Sequence, residues 1–261
     1  MHEWHSQAIA RLRKHFEADP RYLALIVVGS VARGDAREDS DVDFVLVATD
    51  DEYARRHASS DLFSTGNGFS KDPSHQVGGY ILDWQYLLDA AERGDERTRF
   101  QFVKAHIVFS QIAELEQTIA RITAYPESER IEKMNSFYSQ LPLHFSFMEL
   151  AEYSQNAYLL SETAVSLVLF GGRLILAHNR MLYPGRKWFM REFEKAPDKP
   201  EGIIDLATQL LRHTGIAHAR AFYESIAHYT DWPQPEGGTW QRIHEDNVWN
   251  WRYGKLSPAE R

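Results

Sequence analysis

Two aspartates one residue apart, Asp41 and Asp43, follow a Gly-Ser pair, Gly29-Ser30, within the stretch LALIVVGSVARGDAREDSDVDFVLVA. Side chains alternate across a strand. If DVDFVLVA is extended, both carboxylates project from one face while Val42 and Phe44 enter the core. Carboxylates held so close repel each other unless a cation sits between them. Mg²⁺ is the hard cation that prefers such oxygen ligands and commonly keeps phosphate oxygens as further ligands. Gly29 lets the backbone approach a ligand closely. The Ser30 hydroxyl and the amides of a following helix would then face an anionic phosphate. Arg33, one turn further on, could pair with the same group.

Such a site needs two strands and a turn to hold it. LALIVV (23–28) is a continuous β-rich apolar run, expected of a strand buried on both faces. Gly29-Ser30 opens a turn and a short helix, and residues 41–48 form the second strand. Before them, residues 6–18 place Ile9, Leu12 and Phe16 at helical spacing, with Asp19-Pro20 as the stop. Residues 59–75, rich in Ser, Gly, Asn, Asp and Pro, read as a loop. A third strand is expected at 78–87 (GGYILDWQYL) and a fourth at 106–110 (HIVFS). From about Glu127 the pattern turns helical, with segments at 128–150, 151–170, 172–181, 186–195, 202–213 and 216–229 separated by Gly, Pro or polar breaks. A tail with three tryptophans (GGTWQRIHEDNVWNWRYG) reads as an arm that packs on its own body or on a second subunit, which makes a homodimer one arrangement that would cover it.

Gly-Ser, ten intervening residues and Asp-x-Asp, flanked by two apolar strands, resemble the signature of the DNA polymerase β-like nucleotidyltransferase superfamily. The look-alikes are small bacterial members, which include aminoglycoside and lincosamide nucleotidyltransferases and minimal nucleotidyltransferases of toxin–antitoxin pairs. An isolated Asp-x-Asp is usually a solvated strand end; the order, spacing and context separate this one from that reading. The string LILAHNRMLYPGRKWFMREFEK (174–195) also resembles the helical domain of uncharacterised bacterial relatives. The resemblance implies an α+β chain. Residues 1–120 would form a catalytic domain with a mixed sheet and helices, and residues 121–261 an all-helical substrate-binding domain ending in the arm.

It also implies a reaction, the transfer of a nucleoside monophosphate from a nucleoside triphosphate, ATP by family habit, to an acceptor hydroxyl with release of pyrophosphate. Two Mg²⁺ ions would be held by Asp41, Asp43 and a third carboxylate from a later strand, for which Asp83 is the candidate. Between Leu82 and Trp84, Asp83 needs a partner or a cation if buried, and is otherwise a surface-facing strand residue. Ser30 and Arg33 would hold the terminal phosphates. Lys187, after a Pro-Gly turn at an expected helix start, would reach the triphosphate or stand exposed in the first helical turn. In some relatives an acidic residue of the helical domain serves as base, a role open to Glu149, Glu152 or Glu162, each of which reads first as a solvated helix residue.

Composition narrows the remaining classes. The chain has 261 residues, 43% hydrophobic and 25% charged, ordinary for a globular protein. Its net charge of −8 disfavours a long polyanion as partner and favours a small acceptor. It has no cysteine, which excludes disulfides, thiolate metal sites and a cysteine nucleophile and suits the cytoplasm. No apolar run of roughly 18 residues is evident and no membrane partner is expected. Two rivals are a helical ribonuclease built on Arg173 and His178, and a nucleotide-binding or antitoxin-like protein without turnover. The first pairing is cheap among 12 histidines and 29 basic residues, and residues five apart on a helix diverge.

Overall fold

A computed structural model describes residues 1–65, 69–70, 72 and 74–260. The chain divides into two compact units, Met1–Ala124 and from Tyr125 onward.

The first unit is built on strands β1 (Tyr22–Val28), β2 (Val42–Ala48), β3 (Phe63–Thr65), β4 (Val77–Leu82) and β5 (His106–Ser110). Among the described residues they form one sheet of order β3-β4-β2-β1-β5. β2 and β4 run parallel, and the other neighbouring pairs are antiparallel. The apolar run of β1 is continuous because both faces are covered. Leu25 and Val27 join Val42, Phe44 and Leu46 in packing on Ala8, Leu12 and Phe16 of helix α1 (Glu3–Phe16). Ala24, Ile26 and Val28 share the opposite face with Val45 and Val47. There they meet Leu87 and Ala90 of α4 (Trp84–Arg93) and Leu115 and Ile122 of α6 (Leu115–Thr123). The remaining helices are α2 (Gly29–Arg33), α3 (Asp50–Ala58) and α5 (Glu96–Gln101). Arg99 on α5 is buried and donates to the carbonyls of Gly94 and Ile122, tying the ends of α4 and α6 together.

Two expectations about this half change. The residues expected as loop include β3, which pairs with β4 through Phe63↔Tyr80 and Thr65↔Gly78; positions 66–68, 71 and 73 of that expectation lie outside the described residues. The strand expected over 78–87 ends at Leu82. Asp83 accepts a 2.7 Å hydrogen bond from the Tyr86 amide and so caps a helix that starts at Trp84. Leu87 and Ala90 at helical spacing then bury one face, which outweighs the β-propensity of Trp84 and Tyr86.

The second unit is helical, with α7 (Arg130–Tyr153), α8 (Ala157–His178), α9 (Phe189–Lys195), α10 (Ile203–Arg212), α11 (Ile216–Ala227) and α12 (Thr239–Asn247). The break expected at Gly171-Gly172 does not occur, and α8 runs through both glycines. A β-carbon on Gly171 would come within 2.7 Å of the Phe222 ring, and one on Gly172 within 2.9 Å of Phe189, so the glycines admit neighbouring rings. By length and composition α8 could cross a membrane, but 61% of its apolar window is buried inside this unit, as in the core helix of a bundle.

The tryptophan-rich arm docks on its own unit through polar groups. Asp246 is buried, accepts a 2.7 Å hydrogen bond from Ser136 of α7 and pairs with Arg242 at 2.8 Å. Trp240 and Trp251 remain exposed.

Candidate active site

Asp41 and Asp43 stand at the head of β2, where the sheet is left open. Farther along the same face, Val45 and Val47 are covered by α4 and α6, whereas Asp43 is exposed. Asp41 is exposed just ahead of the strand. Val42 and Phe44 are fully buried on the opposite face, as alternation requires. Both carboxylates line a cavity of about 660 Å³, together with Val28, Gly29, Phe44, Phe63, Gln76, Val77, Gly78, Tyr80 and Gln101.

Gly29 follows Val28, the direct partner of Asp43 across the β1/β2 ladder. Its φ of +72° favours glycine, and a β-carbon there would overlap the Asp43 carboxylate and lie 3.2 Å from its Cβ. Any side chain at this position would therefore displace one of the two acids. Two exposed carboxylates against bare backbone, beside space of this size, fit a divalent cation carrying phosphate oxygens. Among the described residues no third His, Asp or Glu joins them in a metal-binding group.

The connector leading into Asp41 is pinned by α1. The Trp4 indole donates to the Glu38 carbonyl at 2.7 Å, and His5 Nε2 lies 2.8 Å from the Ser40 carbonyl. The His2 amide donates to His5 Nδ1 at 3.0 Å, which fixes the proton on Nε2, because a carbonyl can only accept. Burial pushes the His5 pKa down and keeps the ring in this neutral form. Neither role was marked by spacing in the sequence, since the contacts join positions some 35 residues apart.

The other candidates lie elsewhere. β2 and β4 are parallel and Asp43 faces Gly78, while Leu82 faces Val47. Asp83 is therefore beyond the far end of β4, more than roughly 13 Å from Asp43 along the strand. Beside the carboxylates stand Gly78 of β4 and Gln76 just ahead of it, not an acid. Ser30 is buried within α2 and does not line the cavity. Arg33, with only 8% of its side chain exposed, ion-pairs with Asp35 at 3.6 Å and lies 4.9 Å over the Phe100 ring. Arg33 is not among the residues that line the cavity.

Lys187 belongs to the helical unit, where it is exposed and lies 5.4 Å from the Trp188 ring. Glu149 pairs with Arg220, Glu152 accepts from the Ile216 amide and Glu162 from Ser166. Arg173 is buried between Phe137 and Tyr183 and donates to the Pro258 carbonyl, while His178 pairs with Asp198, so the two do not form a shared site.

No curated protein matches the chain. Among solved structures, the chain is similar to a nucleotidyltransferase-like protein from Exiguobacterium sibiricum 255-15. The two share 15% identity over 95% of this chain and 91% of that one, with a TM-score of 0.48. The family model for the nucleotidyltransferase domain matches residues 9–122, from α1 through β1 and both aspartates to α6, and a helical region follows the matched residues.

Proposed function

We propose that the protein transfers a nucleoside monophosphate, AMP from ATP, to a hydroxyl of a small-molecule acceptor such as an antibiotic and releases pyrophosphate. The observation that carries this reading is Asp41, just ahead of β2, and Asp43, on its open face, lining one cavity, with Gly29 pressed against Asp43. Both aspartates would hold Mg²⁺, with two ions expected during turnover. Bound there, the metal supplies charge neutralisation to the attacking oxygen and the leaving pyrophosphate.

Gly29 keeps the backbone beside Asp43 bare, so phosphate oxygens can approach the acids directly. Gln76 and Gln101 present neutral amides at the cavity wall. The acceptor oxygen bonds to the α-phosphorus as the α–β bridging bond breaks, and its proton passes to water. Asp83, Ser30 and Arg33 have no part in this scheme. In this reading the helical unit selects the acceptor, and the enzyme works in the cytoplasm, where ATP is available.

A second reading, metal-dependent nucleotide binding without transfer, is favoured by Gly78 and Gln76 standing where a third carboxylate would adjoin the pair. One experiment separates the two. The protein is incubated with Mg²⁺, α-labelled ATP and separate pools of aminoglycosides, lincosamides, tRNA and protein. Label is expected in a small-molecule pool, and Asp43→Asn should lower transfer and pyrophosphate release at least a hundredfold. Label confined to tRNA or protein overturns the small acceptor, and binding of Mg-ATP with no labelled product in any pool supports the second reading.

A further inference from the structure

The same cavity has a second wall that the reaction scheme does not use. Phe63 and Tyr80, paired across β3 and β4, are 53% and 51% exposed, and both line the cavity that holds Asp41 and Asp43. Their ring centroids are 5.3 Å apart at an interplanar angle of 55°. Tyr80 faces Val45 and Gly78 faces Asp43, so the register puts Tyr80 on the carboxylate face, two positions along the neighbouring strand. Strand geometry separates Asp43 from Tyr80 by roughly 8 Å between Cα atoms. Phe63 leans over the bare backbone of Gly78, where an added β-carbon would lie 3.4 Å from its ring. Two large rings half-exposed on an edge strand and its neighbour are unfavourable in water and invite association unless something flat covers them.

Resting on the nucleotide reading above, we propose that Phe63 and Tyr80 form the stacking platform for the nucleobase of the triphosphate bound at Asp41 and Asp43. A ribose would bridge the acids and the rings. One end of the cavity is anionic and takes metal-bound phosphate, and the other is aromatic and takes a planar ring. Stacking is selective by ring area more than by edge, so purine triphosphates are the favoured class, with ATP and GTP bound alike.

The test is calorimetric titration, with Mg²⁺ present, of ATP and of inorganic tripolyphosphate into the wild type, Phe63→Ala/Tyr80→Ala and Tyr80→Phe, with melting curves to confirm folding. ATP affinity should fall about ten- to a hundredfold in the double variant while tripolyphosphate affinity stays unchanged. Tyr80→Phe should bind ATP as the wild type does, and the wild-type preference for ATP over UTP should vanish in the double variant. Unchanged ATP affinity in the folded double variant overturns the platform. So does a parallel fall in tripolyphosphate affinity, which would make the rings a support for the acids. A wild type that binds neither ligand overturns the nucleotide reading itself, and is distinct from both.

Discussion

At the scale of single residues, the site depends on a missing side chain as much as on two present ones. Gly29 lies so close to Asp43 that an alanine β-carbon would occupy the space of its carboxylate. It also holds φ = +72°, a region that costs an L-residue about 1–2 kcal/mol. Gly29→Ala should therefore turn the Asp43 side chain away or shift β1. We expect Mg²⁺ or Mn²⁺ affinity, followed by calorimetry, to fall at least tenfold while stability drops by about 1–3 kcal/mol. Metal affinity equal to wild type would mean that Asp43 tolerates the intrusion and that the close approach has no bearing on the site.

At the scale of elements, Asp83 shows how a residue that looks chemical can be architectural. Its carboxylate closes the first turn of α4 by accepting the Tyr86 amide, and α4 in turn packs Leu87 and Ala90 under the sheet. Removing an N-cap of this kind costs about 1 kcal/mol. Asp83→Ala should lower the melting temperature by a few degrees and leave Mg-ATP affinity unchanged, whereas Asp83→Ser should recover most of the loss. Weakened nucleotide binding in a folded Asp83→Ala would return the residue to the site. Arg99 works in the same register: a buried guanidinium gathers carbonyls at the ends of α4 and α6 and fixes the helices that leave the head of β2 uncovered.

At the scale of the whole molecule, each unit has its own core. In the helical unit Phe137, Leu141, Leu167, Leu174, Phe193 and Phe222 are all buried, and α8 is apolar because it is the middle of that core. His144 of α7 is half-buried beside that core, stacked on Phe170 at 5.3 Å, and among the described residues its Nδ1, itself buried, has no hydrogen-bond partner. Burial pushes its pKa from 6.5 down to about 4, against the opposing charge of Glu162. The unfolded chain therefore takes up this proton between those values and the folded chain does not. The contribution is fully present above about pH 6.5 and is lost as pH falls toward 4, up to about 3 kcal/mol. Melting curves read by far-ultraviolet circular dichroism should show a decline across this window that is flatter in His144→Phe. An identical slope in the variant would place the acid sensitivity in other groups.

By itself the sequence determined the parts of this protein whose physics is local. The run 23–28, the glycine at 29 and the alternation from Asp41 to Phe44 specify two strands, a turn and two acids on one face, because side-chain period and backbone freedom act over a few residues. The connector between them is legible for the same reason, and so is the change to helices after Glu127. The tertiary structure decided what depends on partners far along the chain. Whether Asp83 continued a strand or capped a helix turned on what Leu87 and Ala90 could bury. Whether Gly171-Gly172 broke a helix turned on Phe222 and Phe189 arriving from elsewhere. Arg33 pairs with Asp35 and lies over Phe100, and Phe63 and Tyr80 line the cavity because the pairing of β3 with β4 sets them together on its wall. Period and propensity carry no information about which distant side chains will share a cavity; sheet order and register supply it.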